Sequence, residues 1–397
     1  MTYKEALDWL YGRRRQGPRG TERARALLAR LGNPEEAFPA VHVLGTNGKG
    51  SVVAYLEAAF RARGLPYGAY TSPHLLDFRE RIRTHLGQIP EREVVAFVEW
   101  AKEEAWEEPP GFFDLATALA FQHFKVAGVA LAAVEAGVGG EKDATGALSR
   151  VALTVITNVG EDHLEALGGT LEAVARDKAG AIREGVPVVT GAEGVGLRVI
   201  REVARARGAP LYLLDPQDPQ DPLFALPAAP ALRGRFQEGN ARLAAAALRL
   251  LGFAEEVIAK GIATAQNPGR LERFLLKGVE IYLDGAHNPP AASALAWEFS
   301  AYHLVFGAFP RKDVKGVLAH LLPKARSVRY TLAGEGALGR ELGEPFFPEP
   351  WEALLHAVER AKEDGLPVLA TGSLYLVGAL LKGLTPGPRP GSSPPDP

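Results

Sequence analysis

The chain has 397 residues, 47% of them hydrophobic, a formal charge of −2 and no cysteine. That length exceeds the ~250 to 300 residues at which single cores stop growing, so two domains are expected, while zero cysteines exclude disulfides, thiolate metal sites and a covalent thioester route. The balanced charge, the lack of an apolar run near the ~18 residues of a membrane span, and a polar start through Arg13-Arg14-Arg15 predict a cytoplasmic protein with no nucleic-acid or membrane partner.

The first chemically informative element is the apolar strand Val41 to Leu44, which runs into Gly45-Thr46-Asn47-Gly48-Lys49-Gly50-Ser51. Backbone N–H groups of such a turn can point at phosphate oxygens, Lys49 can neutralise β/γ charge, and the Ser51 hydroxyl can ligate Mg²⁺. The strict phosphate-loop pattern is not met, because Val43 stands where its first glycine belongs and Gly50 separates Lys49 from Ser51. Asn47-Gly48 between apolar runs also fits a hairpin turn. The residues that follow favour a strand-to-helix turn: Val52, Val53, Leu56, Ala59 and Phe60 recur at helical spacing, and Arg63-Gly64 supplies a stop.

Further along, strands are predicted at Val129 to Glu135, Ala152 to Thr157, Pro187 to Thr190 and Pro210 to Leu214. Helical patterns at Val94 to Ala105, Asp114 to Phe124, Leu171 to Ile182 and Leu197 to Gly208 alternate with them, as in a mainly parallel sheet covered on both faces. Asp215 to Pro230 reads as a loop, and helices at Asn240 to Leu251 and Ala254 to Thr264 lead to the break at Asn267-Pro268-Gly269. Beyond it the alternation restarts, with strands near Val279 to Leu283, Tyr302 to Phe306, Ser327 to Thr331 and Val368 to Ala370. The expected architecture is α/β: an N-terminal P-loop-type, mainly parallel sheet domain over 1–267, a smaller Rossmann-like domain over 268–385, and a disordered proline-rich tail over 386–397.

Four glycine-punctuated segments fall at predicted strand ends, where open α/β sheets bind ligands. The phosphate loop is the first. In the second, Val134-Glu-Ala-Gly-Val-Gly-Gly140, Glu135 is either a Mg²⁺ carboxylate or the residue before a tight turn. The third, Thr157 to His163, ends in Glu-Asp-His and precedes a helix bearing Lys178; His on Mg²⁺ is uncommon, and Glu161 or Asp162 would be better oxygen donors. The fourth, Ile281 to Pro289, presents Asp284, His287 and Asn288 before a proline-opened helix, as a crevice site or as a polar turn with its cap.

Together these residues resemble the folylpolyglutamate synthase/dihydrofolate synthase family of the Mur ligase superfamily. The likeness runs in order through Tyr70-Thr-Ser-Pro-His-Leu75, Glu80-Arg-Ile-Arg83, Asp143-Ala-Thr145, Lys178-Ala-Gly180, Pro268-Gly-Arg-Leu-Glu272, Asp284-Gly-Ala-His-Asn-Pro289 and Thr371-Gly-Ser-Leu-Tyr375. It implies that ATP is held by Gly45 to Ser51 with Asn240, Arg270 and Asp284, and that Ser51, Glu135 and His163 hold Mg²⁺, as one or two ions, with a monovalent cation allowed. Lys178 would be a carbamylated lysine adding a further anionic ligand, and Lys49, Lys178, Asp284 and His287 would serve the chemistry. Ser72, Pro73 and His74 would cover the pterin beside Phe112 and Phe113, and His287 and Ser373 would receive glutamate. Two departures stand out: Glu141 replaces a family Arg, and Thr-His-Leu-Gly around His85 replaces an Asn-Gly turn.

The implied activity is ATP-dependent addition of L-glutamate to a folate or dihydropteroate carboxylate through an acyl phosphate, carried out by a monomer. The rival readings are a Mur-type amino-acid ligase on another acceptor and a P-loop nucleotide-binding protein that forms no amide. Met1 to Ala40 leaves no room for the extra N-terminal substrate domain of Mur ligases.

Overall fold

A computed structural model describes residues 1–13, 17–162 and 164–385, so Arg14, Arg15, His163 and the proline-rich tail lie outside the described residues. It divides into two units, Met1–Ala231 with Glu238–Gln266, and Leu232–Gln237 with the chain from Asn267 onward.

In the first unit, α1 (Tyr3–Tyr11) starts on a capping box in which Thr2 and Glu5 satisfy each other's backbone amides, and α2 (Glu22–Arg30) follows. Strand β1 (Ala40–Leu44) is buried along its whole length, as expected of a central parallel strand. Helix α3 (Lys49–Arg63) is capped at both ends by left-handed glycines, Gly48 (φ 87°) and Gly64 (φ 73°), so Asn47-Gly48 opens a helix and does not turn a hairpin.

Strands β2 (Tyr67–Tyr70), β3 (Ile82–Thr84) and β4 (Gly87–Gln88) come next, and none of them was expected. They are two to four residues long, so no two-residue period develops in the sequence. The altered Thr84 to Gly87 element makes the turn between β3 and β4, with His85 and Leu86 exposed. The unit continues through α4 (Glu91–Glu103), α5 (Phe112–Val126), β5 (Leu131–Glu135), β6 (Val151–Ile156), α6 (Leu171–Ala179), β7 (Val188–Thr190), α7 (Gly194–Ala206) and β8 (Leu211–Leu213). Helices α8 (Phe236–Leu250) and α9 (Glu255–Thr264) complete it, apart from the first residues of α8, which fall in the second unit. Gly261 lets α9 lie directly on α3, because a Cβ there would overlap Ala59.

The sheet order is β4-β3-β2-β5-β1-β6-β7-β8, antiparallel only at its β4-β3-β2 edge. In register, Val43 faces Glu135 and Leu44 faces Ile156, so the loops after β1, β5 and β6 leave the sheet side by side.

The second unit carries β9 (Glu272–Leu276), β10 (Val279–Leu283), α10 (Pro289–Ala296), β11 (Tyr302–Phe306), α11 (Val314–Leu321), β12 (Ala325–Thr331), β13 (Phe346–Phe347), α12 (Pro350–Asp364), β14 (Val368–Thr371) and α13 (Leu374–Leu384), in the order β13-β12-β11-β14-β10-β9. Strand β9 departs from expectation because it opens on two charged residues, Glu272 and Arg273, and runs at the sheet edge. Lys277 (φ 51°) and Gly278 (φ 81°) turn it back into β10, the all-positive geometry of a tight hairpin. Both sheets are mainly parallel, which is the α/β class expected.

One polar side chain interrupts β1. His42 is fully buried, its Nε2–H donates to Thr145 Oγ1 at 2.8 Å, and Nδ1 has no partner among the described residues. Burial, reinforced by the positive Arg183, pushes its pKa from the ordinary 6.5 down to about 3. The unfolded chain therefore binds a proton that the folded chain refuses between these values, and stability falls as pH drops through that window. From pH 7 to pH 5 this one residue accounts for about 2 kcal/mol of lost stability. Denaturant unfolding at the two pH values should show a correspondingly smaller loss in His42→Gln; an unchanged difference would mean that His42 titrates normally.

Candidate functional site

The turn after β1 is built by its neighbours on β6. The N–H groups of Thr46 and Asn47 both donate to Asn158 Oδ1, at 3.2 and 2.9 Å, while Thr157 Oγ1 and Asn158 Nδ2 donate to the Asn47 carbonyl at 2.6 and 3.0 Å. Thr46 Oγ1 accepts from Gly160 N–H and donates to the Gly160 carbonyl, at 2.8 and 3.1 Å. Gly45 (φ 144°) must be glycine, since a Cβ would overlap the Thr157 hydroxyl, and a Cβ on Gly48 would overlap the Asn240 amide. The structure thus brings Asn240 against the loop. The Lys49 ammonium folds back onto the Gly45 carbonyl at 2.8 Å, and Ser51, 4% exposed, sits in the first turn of α3. A helix start of this kind presents backbone N–H groups and the positive end of the dipole, the physical requirements of a phosphate site.

Thr157 and Asn158 brace this turn, and the sequence reading gave weight instead to the Glu-Asp-His run after them. The available signal was an Asn one residue beyond a buried strand beside a glycine turn.

The turn after β5 is fixed in the same manner. Asp143 Oδ2 accepts the N–H groups of Gly137 and Val138 at 3.1 and 2.9 Å, and its Oδ1 accepts from Thr145 Oγ1 at 2.6 Å. Arg19 donates to the Val138 carbonyl, and Asp177 Oδ2 accepts from Gly140 N–H at 3.0 Å. Glu135, 6% exposed, leads into this turn and accepts from Ser72 N–H at 3.2 Å, so the metal carboxylate named from sequence touches the loop expected over the acceptor. Glu141 is exposed with its side chain lying along Gly180.

Among the described residues no three His, Asp or Glu side chains converge as a metal cluster. Mg²⁺ needs no such cluster, because it commonly binds through one or two carboxylates with waters and substrate phosphates. Ser51 and Glu135 offer oxygen donors of that kind, while His163 lies outside the described residues. Lys178 is 3% exposed in the last turn of α6. Burial, and then the positive charge of Lys49, lower its pKa from 10.5 to about 7, against opposing effects of Asp177, Asp162 and Asp143.

The consecutive residues Phe112 and Phe113 open α5 and therefore face different ways. Phe113 stacks on Tyr70 at 5.9 Å and covers Gly137, whereas Phe112 packs on Tyr11 at 5.6 Å and lies under the Arg81 guanidinium at 5.1 Å. Ser72, Pro73 and His74 lead from β2 towards this second cluster, with the Pro73 side chain exposed.

In the second unit Asp284 is buried and its two carboxylate oxygens accept from Leu271 and Ala286 N–H groups, both at 2.8 Å. Burial raises its pKa and Arg270 opposes the shift. An Arg270 guanidinium nitrogen lies 2.9 Å from where a Gly285 Cβ would stand. His287 Nδ1–H donates to the Gly285 carbonyl at 2.8 Å, which makes Nε2 the acceptor nitrogen of the neutral ring. Ser373 is 4% exposed and caps α13 through Tyr375 N–H at 3.1 Å, and Asn288 caps α10 through Ala291 N–H at 3.0 Å. The capping reading thus describes real bonds here, Asn288 on α10 and Ser373 on α13.

Three loops leaving adjacent parallel strands, one of them a phosphate-type turn, define a nucleotide-binding α/β unit, and the family model "Mur ligase middle domain" matches residues 43–188. Over 95% of its length the chain is 36% identical to a probable bifunctional folylpolyglutamate synthase/dihydropteroate synthase of Haloferax volcanii, of which it spans about half (50%). It is 32% identical to the dihydrofolate synthase/folylpolyglutamate synthase of Bacillus subtilis, covering 96% of this chain and 99% of that one. A solved folylpolyglutamate synthase complex with AMPPCP and folate superposes with a TM-score of 0.82 at 27% identity, covering 97% of this chain and 100% of that one. The chain belongs to the folylpolyglutamate synthase/dihydrofolate synthase family.

A buried amine that titrates near pH 7 is available to CO₂, which reacts only with the unprotonated form. With ¹³C-labelled bicarbonate, a carbamate resonance should grow between about pH 6 and 8 and be absent from Lys178→Ala. A resonance confined to strongly alkaline pH would show Lys178 to be an ordinary lysine.

Proposed function

We propose that this chain joins L-glutamate to the free carboxylate of a folate-type acceptor, dihydropteroate or a reduced folate, with ATP as the energy source. The single observation that carries this reading is the shared position of three features in the first unit. The phosphate-type turn, the Glu135 carboxylate and the loop from Ser72 meet at adjacent strand ends, with Ser72 N–H bonded to Glu135 itself. The B. subtilis relative is named for both activities, and the superposed complex holds an ATP analogue together with folate.

In this reading the turn from Gly45 to Ser51 takes the triphosphate, with Asn240 beside it. An acceptor carboxylate oxygen attacks the γ-phosphorus in line, ADP leaves, and Lys49 and Arg270 stabilise the charge that develops on the transferring group. The glutamate amine then attacks the acyl carbonyl, phosphate departs, the amine loses its proton and an amide remains. Ser51 and Glu135 are the groups suited to Mg²⁺, with His163 as a further ligand and Lys178 as an anionic carbamate. When bound, the ion supplies Lewis-acid stabilisation of phosphoryl oxygens. Asp284 acts in the nucleotide part of the site by holding the Arg270 loop to the end of β10, and His287 Nε2, with Ser373, receives the glutamate amine and carboxylates. The cysteine-free composition suits a route that needs no protein nucleophile, and the chain is proposed to act as a cytoplasmic monomer.

The proposed domains are a nucleotide unit over 1–267 and a glutamate unit over 268–385. An acyl phosphate hydrolyses in water, so shielding the intermediate is a requirement of the chemistry.

The test incubates purified protein with Mg²⁺-ATP and glutamate, offers dihydropteroate and tetrahydrofolate separately, and identifies products by mass. Expected are glutamylated acceptor, ADP and phosphate, each dependent on both acceptor and glutamate. Lys49→Ala should lower ligation about 10²- to 10³-fold with an unchanged melting temperature. Phosphate release that ignores acceptor and glutamate would rule out ligation, and a ligated product from another acceptor alone would move the reading to a Mur-type enzyme.

A further inference from the structure

Three arginines of the first unit crowd a place that no role yet claims. Arg183, between α6 and β7, donates through Nη2 to the Gly146 and Leu148 carbonyls at 2.7 and 2.8 Å. Arg25 of α2 donates through its own Nη2 to the same Gly146 carbonyl at 3.2 Å, so two guanidinium groups meet on one oxygen. Arg207, at the end of α7, donates through Nη1 to the carbonyls of Gly180 and Ile182, and Ile182 directly precedes Arg183. Carbonyls carry only partial negative charge, so these bonds fix the three cations without neutralising them.

The charge is not answered by a carboxylate. Among the described residues none of the three arginines makes an ion pair. Burial, and then the positive charges of Arg25 and Arg207, hold the Arg183 pKa below its ordinary value, and no carboxylate opposes them, although Glu184 is its neighbour in sequence and Glu141 lies along Gly180. Glu35 reaches Arg25 only through space. Capping of segment ends accounts for one donor nitrogen of each group. It leaves Nε and Nη1 of Arg183, and Nε and Nη2 of Arg207, with no protein acceptor among the described residues, and none of these nitrogens is sealed from solvent.

We propose that Arg25, Arg183 and Arg207 form a binding site for a compact phosphate-class anion, inorganic phosphate or a diphosphate group, separate from the turn that leaves β1. A guanidinium matches phosphate oxygens through paired N–H donors, and the open Nε and Nη2 edge of Arg207 supplies such a pair, with further donors on Arg183. The ligand is a compact ion and not an acidic peptide or a nucleic acid, because the three groups converge on the Gly146 and Ile182 carbonyls and do not line a stripe. An anion bound there replaces the mutual repulsion of three like charges with attraction to each of them. The site stands independently of the folate-type reading.

The experiment titrates inorganic phosphate, and separately pyrophosphate, into the whole protein labelled with ¹⁵N-arginine, with chloride holding the ionic strength constant. The Arg183 and Arg207 Nε–H resonances should shift and saturate. Arg207→Gln should weaken the phosphate affinity read at Arg183 about tenfold, and Arg25→Gln should weaken it at both resonances by a similar factor. Lys49→Ala, which alters the turn after β1, should leave the response unchanged. Arg25 is exposed, and its replacement keeps both carbonyl anchors of Arg183, so that variant tests the site even where Arg207→Gln does not fold. Saturation at lower phosphate than pyrophosphate assigns free phosphate, the reverse assigns a diphosphate group, and either supports the site. Shifts that never saturate, that chloride reproduces, or that keep their full affinity in both Arg25→Gln and Arg207→Gln overturn the proposal, because the arginines would then only cap carbonyls.

Discussion

The arrangement depends on a constraint at the end of β6, where Asn158 holds the phosphate-type turn by both of its faces. A glycine turn is conformationally permissive, and ordering it opposes chain entropy at every residue. Four hydrogen bonds from Thr157 and Asn158, two to amides and two to one carbonyl, restrict it before any ligand arrives. Because β1 lies between β5 and β6, the same brace sets the turn level with Glu135. Preorganisation of this type lowers the ordering penalty of binding.

The same physics recurs in both units. Asp143 and Asp284 are buried carboxylates at strand-end loops, accepting three and two backbone amides respectively. Burial raises the pKa of both, and the amide bonds oppose that shift. Hydrogen bonds to a charged group stabilise by about 1.5 to 3 kcal/mol each, enough to offset much of the desolvation and to make each loop rigid. The residues proposed to meet ligands thus sit on backbone that is held by residues one step removed from them.

Much of this was legible in the sequence. The buried strands β1, β5, β6 and β7 read as apolar β-branched runs, and the strand, glycine turn and helix around Lys49 were recognised because Val52 to Phe60 keeps helical spacing on past the turn. The antiparallel edge β2-β3-β4 was not legible, since strands of two to four residues have no measurable period. Strand β9 was hidden by Glu272 and Arg273, which suit its exposed edge and disguise its pairing with β10. Asn158 braces the turn across a long sequence separation and Asp143 holds amides a few residues before it, and neither role shows in a helical or strand period. Phe112 and Phe113 are adjacent in sequence, yet the helical rotation of about 100° between neighbours sends them to different clusters.

The most direct test concerns the brace. Asn158→Ala removes the acceptor of the Thr46 and Asn47 amides without touching Lys49, Ser51 or Glu135. Calorimetric titration with Mg²⁺-ATP should show affinity weakened more than about tenfold, the effect of losing a pair of ordering hydrogen bonds, while the melting temperature changes little. Nucleotide affinity equal to that of the unaltered protein would contradict the account, because the turn would then hold its shape without β6.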